Sequence, residues 1–148
     1  MRVERSIDLP CSIETAWTVL TDWEAQASWM RDADRVVVVS PQRTGVGVRL
    51  AVRTRLLGIP AFTEPLEVIR WDRPRSLAVR HGGPVRGEGT WVLETMGPGR
   101  TRFTWIEDVA LGIPWIGRAV AWCYRPMLRT LMGRAQVDLR RAIARGRS

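Results

Sequence analysis

The sequence predicts an α+β protein: a seven-stranded antiparallel sheet with one long C-terminal helix lying across its apolar face. Three observations lead there. Segments with period-two alternation follow one another from about residue 36 to 109, separated by Gly, Pro and Asp turns. The last quarter, 114 to 147, repeats apolar residues at steps of three and four, the mark of an amphipathic helix. Runs of strands set apart from helices indicate α+β rather than a parallel α/β sheet. At ~1.5 Å rise per residue only the terminal helix is long enough to cover such a sheet. The sheet twists and curls, so a helix across its hollow side leaves space between them.

Taken in order, residues 2 to 9 alternate, with Val3, Ile7 and Leu9 against Glu4, Ser6 and Asp8, and Pro10 stops that strand. Ser12 is an N-cap with Glu14 in the first turn, and Ile13, Ala16, Trp17 and Leu20 give about two helical turns. Asp22 caps a second short helix holding Trp23, Ala27 and Trp29. Val36 to Val39 is a β-branched strand. Gly45 to Leu56 alternates cleanly, with Val46, Val48, Leu50 and Val52 on one face and arginines on the other. The turn Leu57-Gly58-Ile59-Pro60 leads to a strand from Phe62 to Trp71, in which Pro65 marks an edge or bulge. Ser76 to His81, Val85 to Thr95 and Arg100 to Val109 complete the sheet, divided by turns at 72–74, 82–84 and 97–99. The terminal stripe is Ile116, Ala119, Val120, Cys123, Met127, Leu131, Ala135, Leu139 and Ile143. Pro126 should kink or break it, giving a short helix to about Tyr124 and a long one after. No linker, internal repeat or low-complexity segment divides the chain, and 1–148 is expected to be one domain.

Composition narrows the class. No run approaches the ~18 apolar residues of a membrane span, and the N-terminus has no signal-peptide core; a soluble cytoplasmic protein, monomer or homodimer, is expected. Cys11 and Cys123 fit no metal or redox spacing and are expected to be buried free thiols. The net charge is +8 with no lysine, all 23 basic residues being arginine. Residues 115 to 148 hold eight arginines and one acid, Asp138, so nearly all the excess charge sits on the terminal helix. A solvated helix face explains this; contact with an anionic partner or a membrane surface is the sharper alternative. No nucleic-acid motif accompanies the charge, so no nucleic-acid partner is expected.

The stretch ERSIDLPCSIETAWTVLTDWEAQASWM, with Pro10 ending a strand and then Trp17, Leu20, Asp22 and Trp29, resembles the opening of the START-like superfamily, also called SRPBCC or helix-grip proteins. VIRWDRPRSLAVR resembles that family's strand, Pro-containing turn and strand, and GEGTWVLETMGPGRTRFTWIEDV its last hairpin before the helix. The most similar branch is the bacterial polyketide cyclase/dehydrase-like group. The resemblance covers nearly the whole chain and implies the helix-grip fold, β-α-α-β6-α, with a cavity for an apolar small molecule between sheet and helix. It implies no particular activity, because the fold hosts carriers, receptors and cyclases alike.

His81 is the only histidine, which excludes multi-histidine metal sites and any Ser-His triad without it. No Gly-x-Ser-x-Gly, P-loop or Gly-x-Gly-x-x-Gly is present, and neither a metal nor a cofactor is expected. Gly87-Glu88-Gly89 is a strand bend rather than a phosphate cradle. Glu107 shares a strand face with Phe103 and Trp105, and Arg5 one with Val3 and Ile7. The first and last strands are neighbours in the fold the resemblance implies, so Glu107 is expected to pair with Arg5, or to serve as a buried acid or base. Asp32, Asp34, Glu64 and Glu67 are expected to be solvated loop or edge charges.

Glu107 and His81 are therefore the candidate catalytic residues. The candidate ligand-binding residues are Val48, Leu50, Val52, Leu66, Val68, Leu77, Val79, Trp91, Leu93, Phe103, Trp105, Trp122, Met127 and Leu131. Trp17, Trp23 and Trp29 are expected in the core. Three functions stay open: binding or carriage of a hydrophobic lipid-like or polyketide-like molecule, a cyclase or dehydratase using the same cavity, and an interaction module acting through the arginine-rich helix.

Overall fold

The computed structural model describes residues 1–56, 58–112, 115 and 117–146. Seven antiparallel strands run β1 (Arg2–Leu9), β2 (Ala33–Val38), β3 (Arg49–Leu56), β4 (Ile59–Asp72), β5 (Ser76–Gly82), β6 (Val85–Gly97) and β7 (Arg100–Leu111). They lie side by side in the order β1-β7-β6-β5-β4-β3-β2. Six strands form a meander, and β1 closes against the last of them, Val3 standing opposite Glu107. The helices are α1 (Ile13–Leu20) and α2 (Gly117–Arg145), with a 3-10 helix at Glu24–Ser28. The expected α+β helix-grip architecture is the one observed.

Local chemistry explains the entry into α1: Ser12 Oγ accepts from the Thr15 N–H at 3.2 Å, which caps the helix as expected. The second short helix differs from expectation. Its N-cap is Trp23, without a side-chain cap, and Asp22 supplies only its backbone carbonyl to Ala25 N–H. The segment is held instead by Gln26, whose Nε2 donates to the Leu20 carbonyl, and by Trp23 Nε1, which donates to the Arg43 carbonyl. Gly45 and Gly47 take positive φ, so β3 begins only at Arg49. Pro65 sits just beyond the last β4–β5 pair, Leu66 opposite His81, where β4 has a strand on one side only and the missing N–H is tolerated.

The terminal helix is one continuous element of 29 residues with Pro126 inside it, not two helices. Pro126 removes the hydrogen bond to the Trp122 carbonyl, and Trp122 is exposed, so water can satisfy the freed group without a break. The buried face also differs from the expected stripe. Leu128, Met132, Ala135, Gln136, Leu139 and Ile143 face the sheet, while Ala119, Val120 and Cys123 are exposed. The first turns of α2 form an overhang, and among the described residues none covers Ala119, Val120 or Cys123 enough to bury them. Cys123 is thus an exposed thiol rather than a buried one, whereas Cys11 is buried as expected. Pro114, Ile116 and Leu57, assigned above to the helix stripe and a turn, lie outside the described residues.

α2 packs most closely on β1 and β7. Gln136 Nε2 donates to the Arg5 carbonyl at 2.9 Å, pinning helix to edge strand. Gly133 lets the Arg5 guanidinium pass: a Cβ there would lie 2.7 Å from Arg5 Nη2. An aromatic network fills the hollow beside the helix, with Trp29, Trp91, Phe103 and Trp105 linked by ring contacts. No helix among the described residues is long and apolar enough to cross a membrane.

Candidate functional site

Three strands, β4 and β5 side by side and β7 on the far side of β6, bring a charged row into the interior. On β4, Glu64 is in phase with the inward Leu66 and Val68; on β5, His81 follows Leu77 and Val79; on β7, Glu107 follows Phe103 and Trp105. Glu64 Oε1 lies 2.9 Å from His81 Nδ1, and Glu107 Oε2 lies 3.0 Å from His81 Nε2. Trp105 Nε1 donates to the other oxygen of Glu107 at 2.7 Å. Each ring nitrogen thus faces a carboxylate oxygen, and an imidazolium can donate to both. Burial pulls the His81 pKa down, but hydrogen bonds and charge from Glu107 and Glu64 outweigh it, and the value rises from 6.5 to about 10. The three side chains are only 10–12% exposed.

Gly89 makes room for this row. It stands opposite Glu107 in the β6–β7 ladder, and a Cβ there would come within 2.8 Å of Glu107 Oε1. Gly87, at φ +133°, lets its strand approach the Asp108 carbonyl so closely that an added Cβ would overlap it.

The row borders an interior cavity of about 90 Å³, bounded by Leu50, Val52, Leu66, Leu77, Val79, Trp91 and Trp105. A second lobe of about 80 Å³ shares Asp32, Thr54, Glu64, His81, Trp105 and Glu107 and reaches α2 at Tyr124, Leu128 and Leu131. Asp32 belongs to both lobes. Burial raises its pKa first, and the charges of Glu107 and Glu64 add to that, against a backbone hydrogen bond and the charge of His81. The Tyr124 hydroxyl is pushed up to about 12 by burial and by the charges of Asp32, Glu64 and Glu107.

Several expectations need correction here. Glu107 is not paired with Arg5, whose guanidinium lies over Gly133 of α2; its partners are His81 and Trp105. Glu64 and Asp32 are cavity groups, not solvated charges, whereas Glu67 is exposed and Asp34 forms surface ion pairs with Arg53 and Arg55. Of the candidate ligand-binding residues, Val48, Val68, Leu93 and Phe103 are buried but border neither lobe. Met127 borders neither lobe, and Trp122 stands 78% exposed on the overhang of α2, because that helix presents a different face to the sheet. The signal for Glu64 was in its strand phase with Leu66 and Val68. Asp32 precedes β2 and carries no such signal. Among the described residues no group of three His, Cys, Asp or Glu side chains is placed to hold a metal.

A family model described as polyketide cyclase/dehydrase and lipid transport matches residues 1–144. The chain belongs to this family. Solved structures agree on the shape. A protein from Thermus thermophilus superposes with a TM-score of 0.82 at 19% identity, covering 100% of both chains. A START superfamily protein from Mycobacterium smegmatis gives 0.69 at 18% identity, covering 99% of this chain and 95% of its own. The Zhui aromatase/cyclase from Streptomyces sp. R1128 gives 0.69 at 19% identity, over 97% and 90%. No curated protein sequence matches the chain. For a polyketide cyclase/dehydrase and lipid transport family member, the sheet-and-helix shape is therefore established, while the Glu64–His81–Glu107 row must be argued from its own chemistry.

Proposed function

We propose that this protein binds a largely apolar small molecule in the cavity beneath α2, with the molecule's polar end held at the Glu64–His81–Glu107 row. The observation that carries this reading is the row itself: three ionisable side chains placed inside a cavity walled mainly by apolar side chains, with Asp32, Thr54 and Gln26 the other polar groups. Burying charge costs on the order of several kcal/mol per ion before pairing offsets it, and the sheet would be more simply filled by apolar residues. A ligand site gives the row a purpose. The walls supply apolar burial at roughly 25 cal/mol per Å², and the polar groups fix orientation.

Size and charge narrow the occupant. A drug-sized ligand needs a pocket of about 300 Å³ or more, so lobes of about 90 and 80 Å³ suit a small molecule or one end of a longer one. The remaining lone pairs of Glu64 and Glu107 are acceptors, which favours a polar end carrying O–H or N–H donors.

Native mass spectrometry of protein purified from its own source tests the reading. The expected result is a bound small molecule that Val79→Phe, which fills the cavity from β5, displaces. A chain that carries no adduct, and whose tryptophan emission responds to no apolar alcohol or phenol, would sink it.

A second reading has its own observation. His81 is held charged while Asp32 is held toward its neutral form, and groups whose environments separate their protonation states suit general acid–base work. This supports a cyclase or dehydratase reaction in the same cavity, in keeping with the aromatase/cyclase among the structural neighbours. Glu107→Gln would then abolish turnover of the bound molecule while leaving it bound.

A further inference from the structure

We infer that the end of the sheet where α2 begins docks on an anionic lipid surface. The topology sets the place. In an antiparallel meander the β3–β4 turn, the β5–β6 turn, the start of β1 and the β7-to-α2 connection all lie at one end. Five of the seven exposed large hydrophobics among the described residues belong to that end: Leu56 and Ile59 at the hairpin tip, and Trp115, Val120 and Trp122 beside or on the overhang of α2. Ile59 is 69% exposed and Trp115 fully so. The hairpin and the helix come together near this end, since Phe62 of β4 and Tyr124 of α2 border the same cavity lobe.

Around the two indoles cationic side chains dominate, Arg2 among them also pairing with Glu4 at 3.4 Å. A surface groove of about 650 Å³ is bordered by Trp115 and Trp122 together with Arg2, Arg118 and Arg125, and among the described residues no acidic side chain borders it. Exposed indoles rimmed by arginines match the headgroup layer of a bilayer, where tryptophan settles at the boundary and guanidinium pairs with phosphate. Two aliphatic side chains on a hairpin tip, separate from the helix, fit a fluid apolar layer better than the fixed relief of a protein partner. The inference stands on this surface alone and goes beyond the binding reading. If both hold, the half-buried Phe62 and Tyr124 place the second cavity lobe close to the membrane.

Co-sedimentation of the full chain with vesicles tests it, comparing phosphatidylcholine alone with phosphatidylcholine containing phosphatidylglycerol. Binding is expected only with the anionic lipid, weakening as salt rises. Trp122→Ser and Ile59→Ser should each lower partitioning by about tenfold, as loss of ~1.4 kcal/mol of apolar insertion gives. Arg118→Gln with Arg125→Gln should do the same, whereas Arg134→Gln with Arg141→Gln, further along α2, should not. These positions lie at the surface, and an unchanged melting curve checks that each variant is folded. The inference is overturned by failure to bind anionic vesicles at low salt, by equal binding to both vesicle types, or by loss of binding only in the Arg134/Arg141 variant. It is equally overturned if light scattering finds a dimer that Trp122→Ser dissociates, because a second copy would then own the patch.

Discussion

Gly89 and Glu107 face one another across the β6–β7 ladder, and the carboxylate occupies the space a Cβ on Gly89 would need, 2.8 Å from Oε1. The glycine is required here for room, not for backbone freedom. Gly89→Ala should displace the Glu107 side chain, lengthen its bond to His81 and strip the row of one partner. Partial loss of a buried charge pair predicts destabilisation of about 2–4 kcal/mol. Urea denaturation measures it; a loss below ~0.5 kcal/mol, the size of an ordinary surface change, would show that Glu107 has freedom to move aside. A matched change at Gly99, where a Cβ meets nothing within 4 Å, supplies the contrast, since its φ of +65° brings backbone strain without a clash.

The His81 pKa makes stability depend on pH in a stated direction. The folded value lies above the unfolded one, so the folded chain holds its proton more tightly. The stabilisation is fully present below pH 6.5 and is lost as pH rises toward about 10. Across that window the stability should fall by up to ~1.4 kcal/mol per pH unit. Denaturation curves at several pH values give the slope. His81→Gln should flatten it, and a wild-type curve already flat between neutral and alkaline pH would contradict the charged row.

Much of this arrangement was legible before any coordinates. Strand alternation put Glu107 on one face with Phe103 and Trp105, and Trp91 on one with Leu93, and the Pro and Gly turns marked the meander; His81 stands in the same alternation as Leu77 and Val79. Glu64 obeyed the same alternation, but the proline beside it suggested an edge, and β4 does have β3 alone beside it from Ile59 to Pro65. The face of α2 was misjudged for a different reason. Periodicity along a helix cannot tell where the sheet beneath it ends, so Cys123 and Val120 continued an apolar stripe over a region with nothing to cover. The place of Asp32 and the pairing of Glu107 with His81 are products of tertiary placement and have no local sequence signature, whereas Trp105 and Glu107 already shared a strand face in the sequence.

Removing one charge and removing all three should have opposite consequences. His81→Leu leaves Glu64 and Glu107 buried without their cation, and a loss of about 3–5 kcal/mol follows. Replacing Glu64, His81 and Glu107 together by Gln, Leu and Gln removes the unpaired charge and should recover much of that loss. Thermal melts of the two variants compare them directly. If the triple variant is no more stable than His81→Leu, the cost comes from packing and not from charge. The triple variant should also fail to hold the native ligand, which separates the row's contribution to binding from its contribution to stability.

The attachment of α2 to the sheet offers a test independent of the charged row. Gln136 is 1% exposed and its amide donates to the Arg5 carbonyl at 2.9 Å, a polar contact set between Met132 and Leu139 on the packed face. Gln136→Met keeps the side chain's length and apolar burial but leaves the carbonyl without this donor. Destabilisation of about 1–3 kcal/mol is expected for an unsatisfied buried acceptor. Amide hydrogen exchange should locate the effect in α2 and β1 more than in β4 and β5, because helix and edge strand would separate while the meander stays paired. Uniform exchange across the sheet would show instead that α2 and the strands open as one cooperative unit, making the helix as integral to the fold as any ladder of the sheet.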